Sequence, residues 1–137
     1  MLLGDGRVPD ELRNQLSSEG LLLLDERLTG SLTFRDYRSP TRRSGVEKIM
    51  VGGAIGISRR RVVVWISGGK PSVKGKHMDV PLEDPRLRGM DIVAETPEKI
   101  CLAYDPHEFR ADTSGRVEVR FTTSRAAEIV VLLDPAA

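Results

Sequence analysis

The chain has 137 residues, 39% of them apolar and 30% charged, which predicts one folded domain and no disordered tail. A single cysteine, Cys101, excludes an intramolecular disulfide and a multi-cysteine zinc site. Net charge is only +1, but residues 35–76 hold eleven Lys/Arg against two acids, Asp36 and Glu47.

The start, Met1-Leu2-Leu3-Gly4-Asp5, shows neither a basic n-region nor an apolar h-region, and no apolar run approaches the ~20 residues of a spanning helix. A cytoplasmic protein is therefore expected. Pro9 to Glu19 reads as a short helix, with Asp10 and Glu11 near the positive end of the dipole. Leu12 and Leu16 share one face, and Gly20 supplies the stop. Residues 1–20 are read as an N-terminal extension and 21–137 as the domain proper.

After Gly20 the period becomes two. Leu21–Leu24 opens a strand, and Leu28, Gly30, Leu32 and Phe34 alternate with Thr29, Ser31, Thr33 and Arg35. Tyr37 to Gly45 reads as a loop, with Pro40, Arg42, Arg43, two serines and a closing glycine. Val46 to Ile57 is the second strand; its glycines at 52, 53 and 56 imply a bend or a close neighbour. Arg61 to Ile66 is the third, apolar on both faces and so covered on both sides. Ser67 to Lys76 is a second basic loop. His77 to Val80, then 90–95, 100–104 and 116–122, complete seven strands, with a connector over 82–89. Thr122-Thr123-Ser124 offers N-cap hydroxyls to a closing helix, in which Ala126, Ile129, Val130 and Leu133 form one stripe. Pro135 follows its stop. The count suggests two packed antiparallel sheets or a barrel, with the terminal helix available to close one end.

That layout resembles the pleckstrin-homology-like superfold, and its texture resembles the bacterial pleckstrin-homology and GRAM-like proteins. The resemblance rests on Val51-Gly52-Gly53-Ala54-Ile55-Gly56-Ile57-Ser58-Arg59-Arg60-Arg61-Val62-Val63-Val64-Trp65, on Met78-Asp79-Val80-Pro81-Leu82, and on the strand–strand–strand–helix run over 90–133. It covers about residues 21–133. The better-known eukaryotic members carry a Trp in the closing helix; here the single Trp is Trp65. This departure favours the bacterial branch; separately, Arg outnumbers Lys 16 to 5, as in proteins of GC-rich bacterial genomes. The resemblance implies a seven-stranded antiparallel barrel of two packed sheets with a capping helix, and a non-catalytic binding or scaffolding role.

In an antiparallel meander the loops 37–45 and 67–76 lie at the same end. That predicts a cluster of Arg38, Arg42, Arg43, Lys70, Lys74 and Lys76, with Arg59 and Arg60 at the opposite end. Guanidinium groups suit phosphate because they donate in a planar fork. The resemblance points the same way, since lipid binders of this superfold place basic residues in the first and third loops. The competing reading is a solvated basic surface. The glycine cluster fits no phosphate-loop spacing. His77, Asp79, Asp105, His107, Glu108 and Asp112 match no metal-ligand motif, and Cys101 reads as a structural thiol. The expectation is no enzyme, no cofactor and no metal. Aromatics make up 4% of the chain and are not interleaved with basic residues, which argues against nucleic acid. The first partner expected is another protein chain or a second copy. An anionic membrane surface, met peripherally, or a phosphate group comes second.

Overall fold

The computed structural model describes residues 5–134. The Met1–Gly4 start and Pro135 lie outside them. Helix α1 (Asp10–Ser18) is followed by strands β1 (Leu21–Ser39), β2 (Arg42–Ser58), β3 (Arg61–Ile66) and β4 (Gly75–Pro81). A short helix α2 (Pro85–Arg88), strands β5 (Asp91–Thr96), β6 (Lys99–Tyr104) and β7 (Ser114–Thr122), and helix α3 (Ala126–Leu133) complete it.

All seven expected strands form and all neighbours pair antiparallel, but the two-sheet barrel does not. There is one sheet, ordered β4-β3-β2-β1-β7-β6-β5, and it is not closed. The reason lies in the long first strand. β1 pairs with β2 along almost its whole length and with β7 over Thr29–Arg38, so the ladder passes unbroken from one half to the other. The edges, β4 and β5, do not pair. The chain between them contributes Leu87 and Met90 to the core instead.

The first hairpin also departs from expectation. The 37–45 segment is not a loop: Tyr37 pairs with Ser44, Arg38 with Arg43 and Ser39 with Arg42, leaving Pro40 and Thr41 as the turn. Its turn-forming composition is overridden by the register already set at Leu32–Ile49 and Phe34–Glu47, which keeps both strands in pairing distance.

The main core lies on the inner face, built from such residues as Leu32, Ile55, Val64, Leu102, Val119 and Phe121. Helix α3 adds Ala126, Ile129 and Leu133 to it and packs over β5 and β6. It begins later than the sequence suggests. Arg125 is the N-cap without a side-chain bond, while the Thr123 hydroxyl accepts from the Arg125 N–H at 3.0 Å and donates to Asp25. A second cluster sits on the outer face, where Leu12 and Leu16 of α1 meet Ala54 and Val63. This covers β3 on both sides. Gly56 is what allows the helix so close, since a Cβ there would stand 2.7 Å from Leu16 Cδ1. Gly20 ends the helix turn at φ 84°, a left-handed conformation that glycine adopts without strain.

Candidate functional site

Residues 42–52 of β2 run beyond the end of β3 and, with β1, wall one side of a cavity. Asp36 takes φ 49°, and the β1–β7 register slips between Arg35 and Arg38. Such a bulge re-aims the following side chain. Tyr37, three residues after Phe34, thereby reaches the same side, and the two rings meet edge to face with centroids 5.1 Å apart. Arg42 lays its guanidinium over both, 4.5 Å from the Phe34 centroid and 5.6 Å from that of Tyr37. The opposite wall repeats the device. Tyr104, ending β6, meets Phe109 edge to face at 5.2 Å, and Arg86 of α2 lies 4.7 Å over Phe109.

Between these walls lies a cavity of about 420 Å³, within the size range of small-molecule sites. Its floor is the inner face itself: Met78, Val80 and Val117 belong to the main core. It is the unfilled mouth of the core at the open end of the sheet. Four of the six aromatic side chains, Phe34, Tyr37, Tyr104 and Phe109, line it. So do five cations, Arg42, Lys74, Lys76, Arg86 and Arg110, against one carboxylate, Asp79.

The cations are not equivalent. Glu47 accepts from Lys70 at 2.7 Å and from Arg42, and these two partners hold its carboxyl down at about 2. Asp79 accepts from Arg61 at 2.6 Å and from Lys76 at 3.2 Å. Asp84 takes Arg86 in a fork, with bonds of 3.0 and 2.6 Å, which lowers its carboxyl to about 2. Lys74 and Arg110 are exposed, and neither has an ion-pair partner among the described residues. They are the cations an incoming anion meets without displacing a carboxylate. On the wall below, His77 Nε2 and the Tyr104 hydroxyl share a hydrogen bond of 2.8 Å. Burial pushes the imidazole down to about 4 and the phenol upward, so both are neutral near pH 7.

Of the six residues picked out from sequence, Arg42, Lys74 and Lys76 line this cavity. Lys70 joins them through Glu47, which ties the β1–β2 hairpin to the 67–74 connector. Arg38 and Arg43 face each other as a cross-strand pair near the hairpin tip, exposed, and do not line the cavity. Arg59 and Arg60 lie in the β2–β3 turn, where the Arg59 N–H donates to the Gly20 carbonyl, at the α1 end. The aromatic walls and Arg86 and Arg110 carry no functional weight in the sequence reading. The one available signal is the Phe34–Tyr37 spacing, which breaks the period of two.

Two of the other polar candidates, Asp105 and His107, have structural employment. Asp105 accepts from the His107 N–H at 2.9 Å, and the His107 ring bonds the Thr113 carbonyl at 3.2 Å. Among the described residues no three His, Cys, Asp or Glu side chains group as metal ligands would. Cys101 is buried on β6, and burial raises its thiol. No helix among the described residues is long and apolar enough to cross a membrane. No family model matches the chain, and no curated protein matches it in sequence.

Proposed function

We propose that the chain is a non-catalytic binding module of the bacterial pleckstrin-homology-like type, taking an anionic group at the open end of its sheet. The observation that carries this is the cavity: four aromatic side chains and five cations converge on it against one carboxylate. The order of the seven strands and the terminal helix over β5 and β6 support the assignment of type. A lipid headgroup and a free phosphate offer the same chemistry to Lys74 and Arg110. In this reading the protein works in the cytoplasm and meets a membrane only at its surface. The test is co-sedimentation with phosphatidylserine vesicles at low salt, beside titration with inorganic phosphate. Lys74→Glu with Arg110→Glu should remove binding while leaving the fold intact, because exposed unpaired charges add little to stability. A wild type that ignores both probes would defeat the reading.

Self-association is a second reading, favoured by one observation. Val46 and Met50 are 70% and 58% exposed, and they stand opposite Arg35 and Ser31 on β1. Isolated exposed apolar residues are ordinary, but two on one strand can seat a second copy. Sedimentation velocity decides it. A monomer at every concentration, unchanged by Met50→Glu, would exclude this surface.

A further inference from the structure

We infer that the anion the open end takes is carried on a compact apolar body, and that this body enters the cavity. The ligand is then a single amphipathic phosphate or carboxylate, held inside the molecule rather than at a surface. This rests on the reading of the open end as an anion site, and adds to it the other half of the ligand.

Three features argue for the apolar half. The floor is core: Met78, Val80 and Val117 are 5%, 2% and 2% exposed, and they are continuous with the main cluster. A hydrated phosphate held at Lys74 and Arg110 gains nothing from such a floor, whereas an alkyl or aryl group sheds its own hydration there and covers what the half-buried Tyr37, Tyr104 and Phe109 rings still expose. Apart from the exposed Ser72 hydroxyl and the two rim cations, the polar groups on the walls already have partners. His77 bonds Tyr104, Asp79 bonds Arg61 and Lys76, and Arg86 bonds Asp84. Among the described residues the only deeply buried side-chain polar atom without a partner is Arg13 Nε, and Arg13 does not line this cavity. An apolar body therefore enters without stranding a donor or acceptor, the usual penalty for filling a polar site. Finally, Arg42 and Arg86 are stacked on Phe34 and Phe109 and tied to Glu47 and Asp84. They serve as parts of the wall, which leaves Lys74 and Arg110 for the head group. The order from rim to floor is thus charge, aromatic ring, aliphatic core.

The experiment is calorimetric titration of the full chain with octyl phosphate below its micelle concentration, beside inorganic phosphate and 1-octanol. Octyl phosphate should bind at least about tenfold tighter than inorganic phosphate, the gain from burying roughly two methylenes. Octanol should bind more weakly than octyl phosphate. Lys74→Ala with Arg110→Ala should erase the difference between octyl phosphate and octanol. Val73→Trp, placing a large ring on the half-buried lining residue of the connector, should weaken octyl phosphate and spare inorganic phosphate. Melting curves of both variants check that they fold. Equal affinity for octyl and inorganic phosphate would overturn the inference and leave the anion site standing. Octyl phosphate binding that neither variant alters would place it elsewhere on the molecule and also overturn it. If no phosphate binds and anionic vesicles are ignored, the anion site itself fails.

Discussion

Glu118 is a buried carboxylate inside a ring of arginines. Arg35, Arg116 and Arg120 donate to it at 3.1, 2.9 and 2.8 Å. Burial alone would raise its carboxyl, but these hydrogen bonds outweigh burial and hold it at about 2. Its folded value is therefore below the unfolded value near 4.5. The stability it adds is fully present above about pH 4.5 and is lost as pH falls through about 2. Glu118→Gln keeps the volume and removes the charge. It should cost ~1.5–3 kcal/mol at pH 7 in urea denaturation, and the gap to wild type should narrow as pH falls through that window. His77 titrates by the same rule for a different reason. Burial lowers its imidazole from 6.5 to about 4. Below pH 6.5 the unfolded chain takes a proton that the folded chain refuses until about 4, so stability drops across that interval. His77→Gln should flatten the drop, and an NMR titration of the wild-type ring should show a midpoint near 4. A midpoint near 6.5 would mean the ring is solvated and the cavity wall looser than described. Glu118 alternates with Val117, Val119 and Phe121 along β7, which puts it on the outward face. The sequence does not show that three arginines converge on this outward carboxylate and that it is buried.

Among the elements, α3 tests the core most directly. Its stripe was legible because Ala126, Ile129, Val130 and Leu133 recur at helical spacing; three of them are buried, and Val130 is half-buried against the core. Ile129 is fully buried, so Ile129→Ala should cost ~2–5 kcal/mol, read from the urea midpoint. A loss of a few tenths would mean that the helix does not close the core. The seven strands were legible for the equivalent reason, since period-two alternation records which face is buried. The elements that misled were those whose local chemistry competes with pairing. Pro40, Ser44 and Gly45 argue for a loop, yet the ladder holds the hairpin open only at Pro40 and Thr41. Thr122 to Ser124 argue for a side-chain cap, and the Thr123 oxygen does accept from the Arg125 N–H, but the helix starts only after Arg125 and the Thr123 proton goes to Asp25, nearly a hundred residues away in the chain. Neither long-range partner leaves a mark on local sequence.

At the scale of the molecule, the alternation of loops between the two ends was readable, but not whether the sheet closes. Closure depends on whether β4 and β5 pair, and their edges carry no signal of it. The site inherits this: its basic rim came from loop composition, while its aromatic walls exist only because an open sheet leaves a mouth. Charge at the two ends then separates a site from diffuse attraction. Lys74 and Arg110 line the mouth, whereas Arg59 and Arg60 sit beyond the run of β2 from Glu47 to Ser58. Along β4, whose Gly75 follows Lys74 and whose Pro81 pairs with Arg61, six residues at ~3.3 Å each put ~20 Å between Lys74 and Arg60, more than two Debye lengths at physiological salt, where that length is ~8 Å. Each Lys or Arg close to an anionic surface adds ~1 kcal/mol, and one held more than a Debye length away adds little. Lys74→Glu with Arg110→Glu should therefore release the protein from phosphatidylserine vesicles, while Arg59→Glu with Arg60→Glu should leave most of it bound. Both variants change net charge by the same amount, so any effect of overall charge cancels in the comparison. Equal losses from the two would mean that the vesicle reads the protein's total charge, and the mouth of the sheet would then have no special claim on the anion.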